Sequence, residues 1–339
     1  MIIRNSQPES MSPADFNSVI IMPYTRNNIF TTTATCRRPV LTFKPVTTVD
    51  IPLLRPLLAT ATTRSCDYTT GGIFMWSDIF DYKYCIVQGT LFIESLSEDG
   101  SGRTAFLVPV GAMPMERKIE LLRDYCRRKN KPLLLTAVPE DMLEALTSGR
   151  EYRTEELTDW ADYIYDAESL ATLTGKAYNK KRNHVNRFIA DNPGYRLEPI
   201  NSANIAELRR FFEGLGIESE KSDPVMAEFE WKRCADVIDN FDAYGFEGAV
   251  LRQGDGRIAA FTMGEISGET LVLHIEKIEH LVAGAGETIN KLFAEHMLGK
   301  HRGIAYINRE DDACDPGLRQ AKISYHPAYL LRKYNVELI

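Results

Sequence analysis

The chain has 339 residues, 44% of them hydrophobic and 26% charged, with a formal net charge of -7. Such a length predicts two domains of ordinary size, and the acidic balance excludes a general nucleic-acid coat, so any anion site must be local. The six cysteines show neither a C-x-x-C pair nor a Cys/His zinc spacing; they read as reduced thiols of a cytoplasmic protein, with no metal expected.

Residues 1–42 contain TTTATCRRP and read as a loosely ordered extension. The polar start MIIRNSQPESMSPADFN lacks a signal-peptide core. No apolar run reaches the ~18–20 residues of a membrane span, so no integral membrane segment is expected.

An internal echo follows. FKPVTTVDIPLLRPLL (43–58) aligns without gaps on LEPINSANIAELRRFF (197–212), matching Pro45 with Pro199, Ile51 with Ile205, Leu54 with Leu208 and Arg55 with Arg209. Both read as a short strand, a polar turn and an amphipathic helix. Each half then offers alternating strands with turn punctuation. These are YCIVQGTLFIESL and RTAFLVPV in the first, GAVLRQGDGRIAAFTMGEI and TLVLHIEKI in the second. ERKIELLRDYC before PLLLTAV, and ETINKLFAEHM before GIAYINR, supply a second helix and a closing strand. The expected class is α/β (α+β), with two mixed, mostly antiparallel sheets flanked by helices. The expected partition is 43–165, a basic linker at 166–194, and 195–339.

The linker is the densest positive stretch. In DYIYDAESLATLTG, Asp166 is placed to cap a short helix that Gly175 ends. A second helix is predicted from about Ala177 to Asp191, stopped by Asn192-Pro193-Gly194. Lys176, Lys180, His184 and Arg187 fall on one stripe, opposite Tyr178, Val185 and Ile189. On charge alone two readings stand: a solvated linker face, or the wall of a groove for phosphates. A membrane-surface helix would need more apolar bulk than Tyr178, Val185, Phe188 and Ile189 provide.

Three further segments can carry chemistry. In TLVLHIEKI, alternation puts His274 and Glu276 on one face, and Leu273, Ile275 and Lys277 on the other. Gly284 and Gly286 in LVAGAGETINKLF leave a helix N-terminus suited to an anion. In GIAYINREDD, Tyr306, Asn308 and Glu310 alternate to one face, and Asn308 to Asp312 crowd the strand's C-terminal end, where open α/β sheets bind ligands. If the two strands are neighbours, His274, Glu276, Tyr306, Asn308 and Glu310 would meet there; a structural ion-pair network reads nearly as well. In GLRQAKISYHP, Arg319 and Lys322 share a helix face; Lys322 would hold an anion, and Tyr325 or His326 would move a proton. The chain has no nucleophile elbow, Walker loop, Rossmann fingerprint or H-E-x-x-H motif.

DYIYDAESLATLTGKAYNKKRNHVNRF, HIEKI, YINREDD and GLRQAKISYHP, in that order, resemble the catalytic C-terminal domain of bacterial phosphatidylglycerol lysyltransferases, over about residues 43–339. They resemble more closely still a stand-alone cytoplasmic family sharing that domain. The resemblance implies two fused GNAT-type (N-acetyltransferase-type) acyltransferase folds. It also implies an aminoacyl-tRNA donor and a small-molecule, peptide or lipid acceptor, with no firmly implied cofactor. Carried over, Lys176, Lys180, Lys181, Arg182 and Arg187 match a basic helix suited to tRNA phosphates. Glu276, Glu310, Lys322 and His274 match catalytic positions, and Asn308, Arg309, Tyr325, Gly284 and Gly286 match substrate-binding ones. The absence of a preceding membrane part puts a lipid acceptor in doubt. LVAGAG places Leu281 where coenzyme A-dependent relatives favour Gln or Arg, which weakens acyl-coenzyme A, the alternative donor. A non-catalytic binding protein on the same scaffold is the other alternative.

Overall fold

The computed structural model describes residues 39–216 and 224–339. The expected extension lies outside the described residues up to position 38. In chain order the strands are Lys44–Pro45 (β1), Lys83–Val87 (β2), Thr90–Leu96 (β3), Thr104–Phe106 (β4), Val110–Gly111 (β5), Leu133–Pro139 (β6), Tyr152–Glu156 (β7) and Asp162–Asp166 (β8). Then come Arg196–Pro199 (β9), Glu247–Arg252 (β10), Ile258–Ser267 (β11), Thr270–Ile278 (β12), Tyr306–Asn308 (β13), Tyr329–Leu331 (β14) and Lys333–Leu338 (β15).

Two mixed sheets result. One runs β1-β2-β3-β4-β6-β15-β7 with β5 on β3, the other β14-β8-β13-β12-β11-β10-β9. The echo is visible in both. β1 and β9 are edge strands that pair antiparallel with β2 and β10, and each leads into a helix, Ile51–Leu58 or Ile205–Leu215. Ile51, Leu54 and Leu208 point those helices inward and are fully buried. Each sheet has one parallel pair between a meander strand and the strand that follows the crossover helix, β4 with β6 and β12 with β13. Parallel neighbours need such a crossover; Met115–Arg128 and Ala285–Lys300 provide it. In the second helix, Ala285, Ile289, Phe293 and Met297 recur at i+4 and are buried, which fixes the face laid on the sheet.

Sheet membership does not follow chain order. β8 joins the second sheet between β14 and β13, and β15, the last strand, enters the first between β6 and β7. The halves also share one apolar core, in which Phe74, Phe92 and Leu135 are continuous with Phe212, Phe261 and Ile275. Each of these side chains contributes roughly 1.5–3 kcal/mol on burial. Among the described residues no helix is long and apolar enough to cross a membrane.

The linker folds close to its pattern. Asp166 accepts from the Ser169 N–H at 2.7 Å and caps Ala167–Thr172. One tight turn, Lys176–Tyr178, precedes the basic helix Asn179–Asp191. Val185 and Phe188 bury its inner face. The helix lies against the start of Ala285–Lys300. Gly284 sits at φ 78°, and a Cβ there would stand 2.3 Å from the His184 carbonyl oxygen. Gly284 is therefore a close-approach residue for the basic helix.

Candidate functional site

Sequence alternation fails at one residue of β12. Met263 of β11 pairs with Ile275, but Gly264 pairs with Leu273, leaving His274 as an unpaired bulge residue. Gly264 permits the bend, since a Cβ there would lie 2.1 Å from the Val272 carbonyl. Leu273 packs in the cluster beneath the helix Ala285–Lys300, whereas Ile275 packs in the shared core. His274 stacks on Phe246 at 5.1 Å between ring centres. Glu276 accepts from Asn290 of the helix at 3.3 Å. His274 and Glu276, expected on one face, therefore occupy opposite faces, and the five expected polar residues do not form one cluster.

They line two sides of a gap instead. The parallel register of β12 and β13 ends at Val272 and Asn308. Past that point side chains bridge the diverging strands. His274 Nδ1 meets Glu310 Oε1 at 2.7 Å on one side, and Arg309 Nη2 donates to Glu276 Oε1 at 3.1 Å on the other.

On the first side His274 lies between two carboxylates, because its Nε2 meets Glu265 Oε1 at 3.0 Å. Two acceptors require both ring nitrogens to donate, so the ring is an imidazolium. Burial opposes that charge, but the hydrogen bonds to Glu265 and Glu310 outweigh it and raise the pKa from 6.5 to about 9. Burial likewise raises Glu265, yet its contacts with His274 outweigh this and leave it below the usual carboxylate range. Glu265 also accepts the Gly71 N–H at 2.7 Å. A Cβ on Gly71 would stand 2.4 Å from His274 Nε2, so only glycine lets the first half approach the ring. Glu310 has a left-handed backbone, φ 58°, which a non-glycine residue adopts at a cost. The Asn308 side chain holds it there by accepting the Glu310 N–H at 2.6 Å, and the Glu310 carbonyl accepts from Tyr163 at 3.1 Å.

His274 thus links stability to pH. Its folded pKa exceeds its unfolded one, so its contribution is fully present below 6.5 and is lost as pH rises through about 9. The size is roughly 3 kcal/mol. The stability difference between wild type and His274→Gln in urea should therefore be larger at about pH 6 than at about pH 10. A difference that does not change with pH would refute the charged, doubly bonded ring.

On the second side the Tyr325 ring lies between two cations. Lys181 Nζ stands 3.8 Å and the Arg309 guanidinium 5.0 Å from its centre. Lys181 also approaches Glu287 to 3.6 Å, although burial lowers its pKa. Arg309 Nη1 and Asn290 Oδ1 are buried without a hydrogen-bond partner. A buried donor in that state costs about 1–3 kcal/mol, which a bound acceptor atom would relieve. Gly286 borders Ile278 with open space otherwise.

The basic residues divide. Lys176, Lys180 and Arg187 are exposed, with Arg187 Nε 3.5 Å from Asp191. Lys181 turns into the site, and Arg182 turns back to the Leu173 and Gly175 carbonyls. Lys322 does not line the gap. Its buried ammonium donates to the carbonyls of Arg309, at 2.5 Å, and Asp311, from beneath the loop that carries Arg309 and Glu310. Arg319, expected on the same helix face, instead binds Asp312 and Asp159.

Sequence reasoning missed Glu265, Glu287 and Asn290, and also a buried ionic cluster behind Asn308. Asp162 of β8 accepts from Lys333 Nζ at 2.8 Å, Cys66 N at 2.9 Å and Asn308 Nδ2 at 2.8 Å. Lys333 of β15 also contacts Asp67 at 2.7 Å. One acid inside the apolar run AAFTMGEI was the available signal for Glu265. The long-range pairing of Lys333 with Asp162 left none.

Comparison with known proteins agrees with this architecture. Residues 58–337 match the family model described as phosphatidylglycerol lysyltransferase, C-terminal. A solved protein of unknown function from Bacteroides thetaiotaomicron is 28% identical, with a TM-score of 0.76 over 88% of this chain and 100% of that one. L-PGS from Bacillus licheniformis is 17% identical, with a TM-score of 0.53 over 76% of this chain and 84% of that one. FemX is 9% identical, with a TM-score of 0.53 over 88% and 98%. An uncharacterised curated protein of Mycoplasmoides gallisepticum is 23% identical over 185 residues, 52% of this chain, and the match spans only 56% of that relative. The two mixed sheets with their flanking helices are GNAT-like folds in tandem. The extent of the family match and the order of its elements establish that the chain belongs to the family of phosphatidylglycerol lysyltransferase C-terminal domains.

Proposed function

We propose that the protein is a GNAT-fold aminoacyltransferase that moves an aminoacyl group from aminoacyl-tRNA to an amine or hydroxyl acceptor. One observation carries the reading: past the β12–β13 pairing, Arg309 and Lys181 with their acidic partners lie beside the basic helix, and Glu310 and Glu265 hold His274 on the side facing the other half of the molecule. The family supports the same chemistry, since its model takes its description from a lysyltransferase.

In this reading the donor approaches from the basic helix, with Lys176, Lys180 and Arg187 on its phosphates. Its ester carbonyl lies in the gap. The acceptor nitrogen or oxygen bonds to the carbonyl carbon and gives its proton to the Glu310 carboxylate. Arg309 Nη1, which has no partner, donates to the carbonyl oxygen as negative charge develops. Collapse breaks the ester C–O bond, and the tRNA ribose oxygen leaves with the proton returned from Glu310. Glu276 is occupied by Arg309 and Asn290, so its part is to orient Arg309. His274 holds Glu310 in place. Asn308 and Lys322 hold the loop in place, and Tyr325 packs the two cations.

The test is a titration of charged bulk tRNA at two salt concentrations, with Lys176→Glu/Lys180→Glu/Arg187→Glu beside wild type. Wild-type binding should fall about ten- to a hundredfold between roughly 50 and 200 mM salt, and the variant should lose it. Equal binding by both proteins, or none by either, would exclude the helix as a tRNA surface.

A further inference from the structure

The first half contains a cavity of about 180 Å³ that shares no residue with the β12–β13 gap. Glu94 of β3, Thr104 and Phe106 of β4, Tyr125 at the end of the helix Met115–Arg128, and then Lys129 and Lys131 line it. Its aromatic part is rigid: Phe106 meets Tyr125 edge-on at 5.9 Å, and Phe43 braces both rings at 5.8 and 5.1 Å. Glu94 is only partly buried, and its Oε2 accepts the Tyr125 hydroxyl at 2.8 Å.

The cavity holds charges of both signs that do not meet each other. Lys131 donates to the Thr104 hydroxyl at 2.7 Å, and Lys129 lies 5.9 Å from the centre of the Tyr125 ring. Among the described residues neither lysine forms an ion pair with Glu94. At the corresponding helix end of the second half, Lys300 reaches Glu247 directly at 2.6 Å. The first half keeps acid and bases apart across a space. A simple anion there would face Glu94, and a simple cation would face two ammonium groups. A molecule carrying both charges satisfies both ends. The volume suits a small one, since an engineered cavity of about 150 Å³ holds benzene.

We propose that this cavity binds a small zwitterionic amino-carboxylate, with its ammonium on Glu94, its carboxylate on Lys129 and Lys131, and its carbon chain along Tyr125. The test is calorimetric titration of the full chain with glycine, 4-aminobutyrate, 6-aminohexanoate and lysine, and with acetate and butylammonium as single-charge probes. At least one zwitterion should saturate and bind about tenfold or more tightly than either single-charge probe. Glu94→Gln keeps an acceptor for Tyr125 but removes the charge, and should weaken that binding about tenfold or more. Lys129→Ala/Lys131→Ala changes exposed side chains and should do the same, so a folding defect in the first variant leaves the test intact. No saturation with any zwitterion up to about 50 mM overturns the site. Unchanged binding in the lysine variant, or single-charge probes binding equally well, does so too.

Discussion

Lys333→Met should destabilise the protein by about 3–5 kcal/mol, the cost of leaving a buried charge uncompensated. The side chain of Lys333 is 1% exposed and that of its partner Asp162 is 0% exposed. Burial alone would lower the Lys333 pKa, yet Asp162 and Asp67 outweigh it and raise it well above its ordinary value. The same lysine holds Asp162 below the usual carboxylate range against its own burial. The pair also joins the two exchanged strands, Asp162 on β8 of the second sheet and Lys333 on β15 of the first. Losing the cation therefore loosens the seam between the sheets as well as exposing a local imbalance. Chemical denaturation at neutral pH measures the loss. Adding Asp162→Asn should recover part of it, because one of the two carboxylates left without Lys333 is then neutral. A single variant within about 1 kcal/mol of wild type would show that the cluster contributes nothing net.

What could be read in advance followed local rules. Ile289, Phe293 and Met297 announce the second crossover helix by spacing, and Gly175 with Asn192-Pro193 bounds the basic segment. The paired edge strand and helix at 43–58 and 197–212 announce the duplication. The misreadings have physical causes that act over distance. Alternation assigned His274 and Glu276 to one face because a bulge leaves almost no local mark; Gly264, a lone glycine in an apolar strand, was the only hint. Arg319 and Lys322 are three apart on one helix, but the carbonyls of Arg309 and Asp311 need a donor, and Lys322 turns inward to supply it. The exchange of β8 and β15 was invisible, because YIYD and KYNVEL look like strands of any sheet. Partner choice there depends on ionic and apolar contacts made between segments far apart in sequence.

Glu310→Gln should lower aminoacyl transfer by about 10²–10⁴-fold while leaving tRNA binding unchanged. In the proposed reaction Glu310 takes the acceptor's proton. One oxygen is fixed by His274 at 2.7 Å, the side chain is 19% exposed at the gap, and the left-handed backbone aims it there. Glutamine keeps the size and an oxygen for His274 but cannot accept a proton. The pH profile separates this role from a structural one. In wild type, transfer should decline as pH rises through about 9, when His274 loses one of its two N–H donors and can no longer hold Glu265 and Glu310 together. Residual activity in the variant should lack that step. Arg309→Lys makes the complementary test, since a single ammonium cannot serve Glu276 and the carbonyl oxygen in the same plane. It should lower turnover with little change in affinity for tRNA. If Glu310→Gln kept full turnover with a verified donor and acceptor, the carboxylate side of the gap would have no part in proton transfer. The reaction would then rest on positioning and oxyanion stabilisation at Arg309 alone.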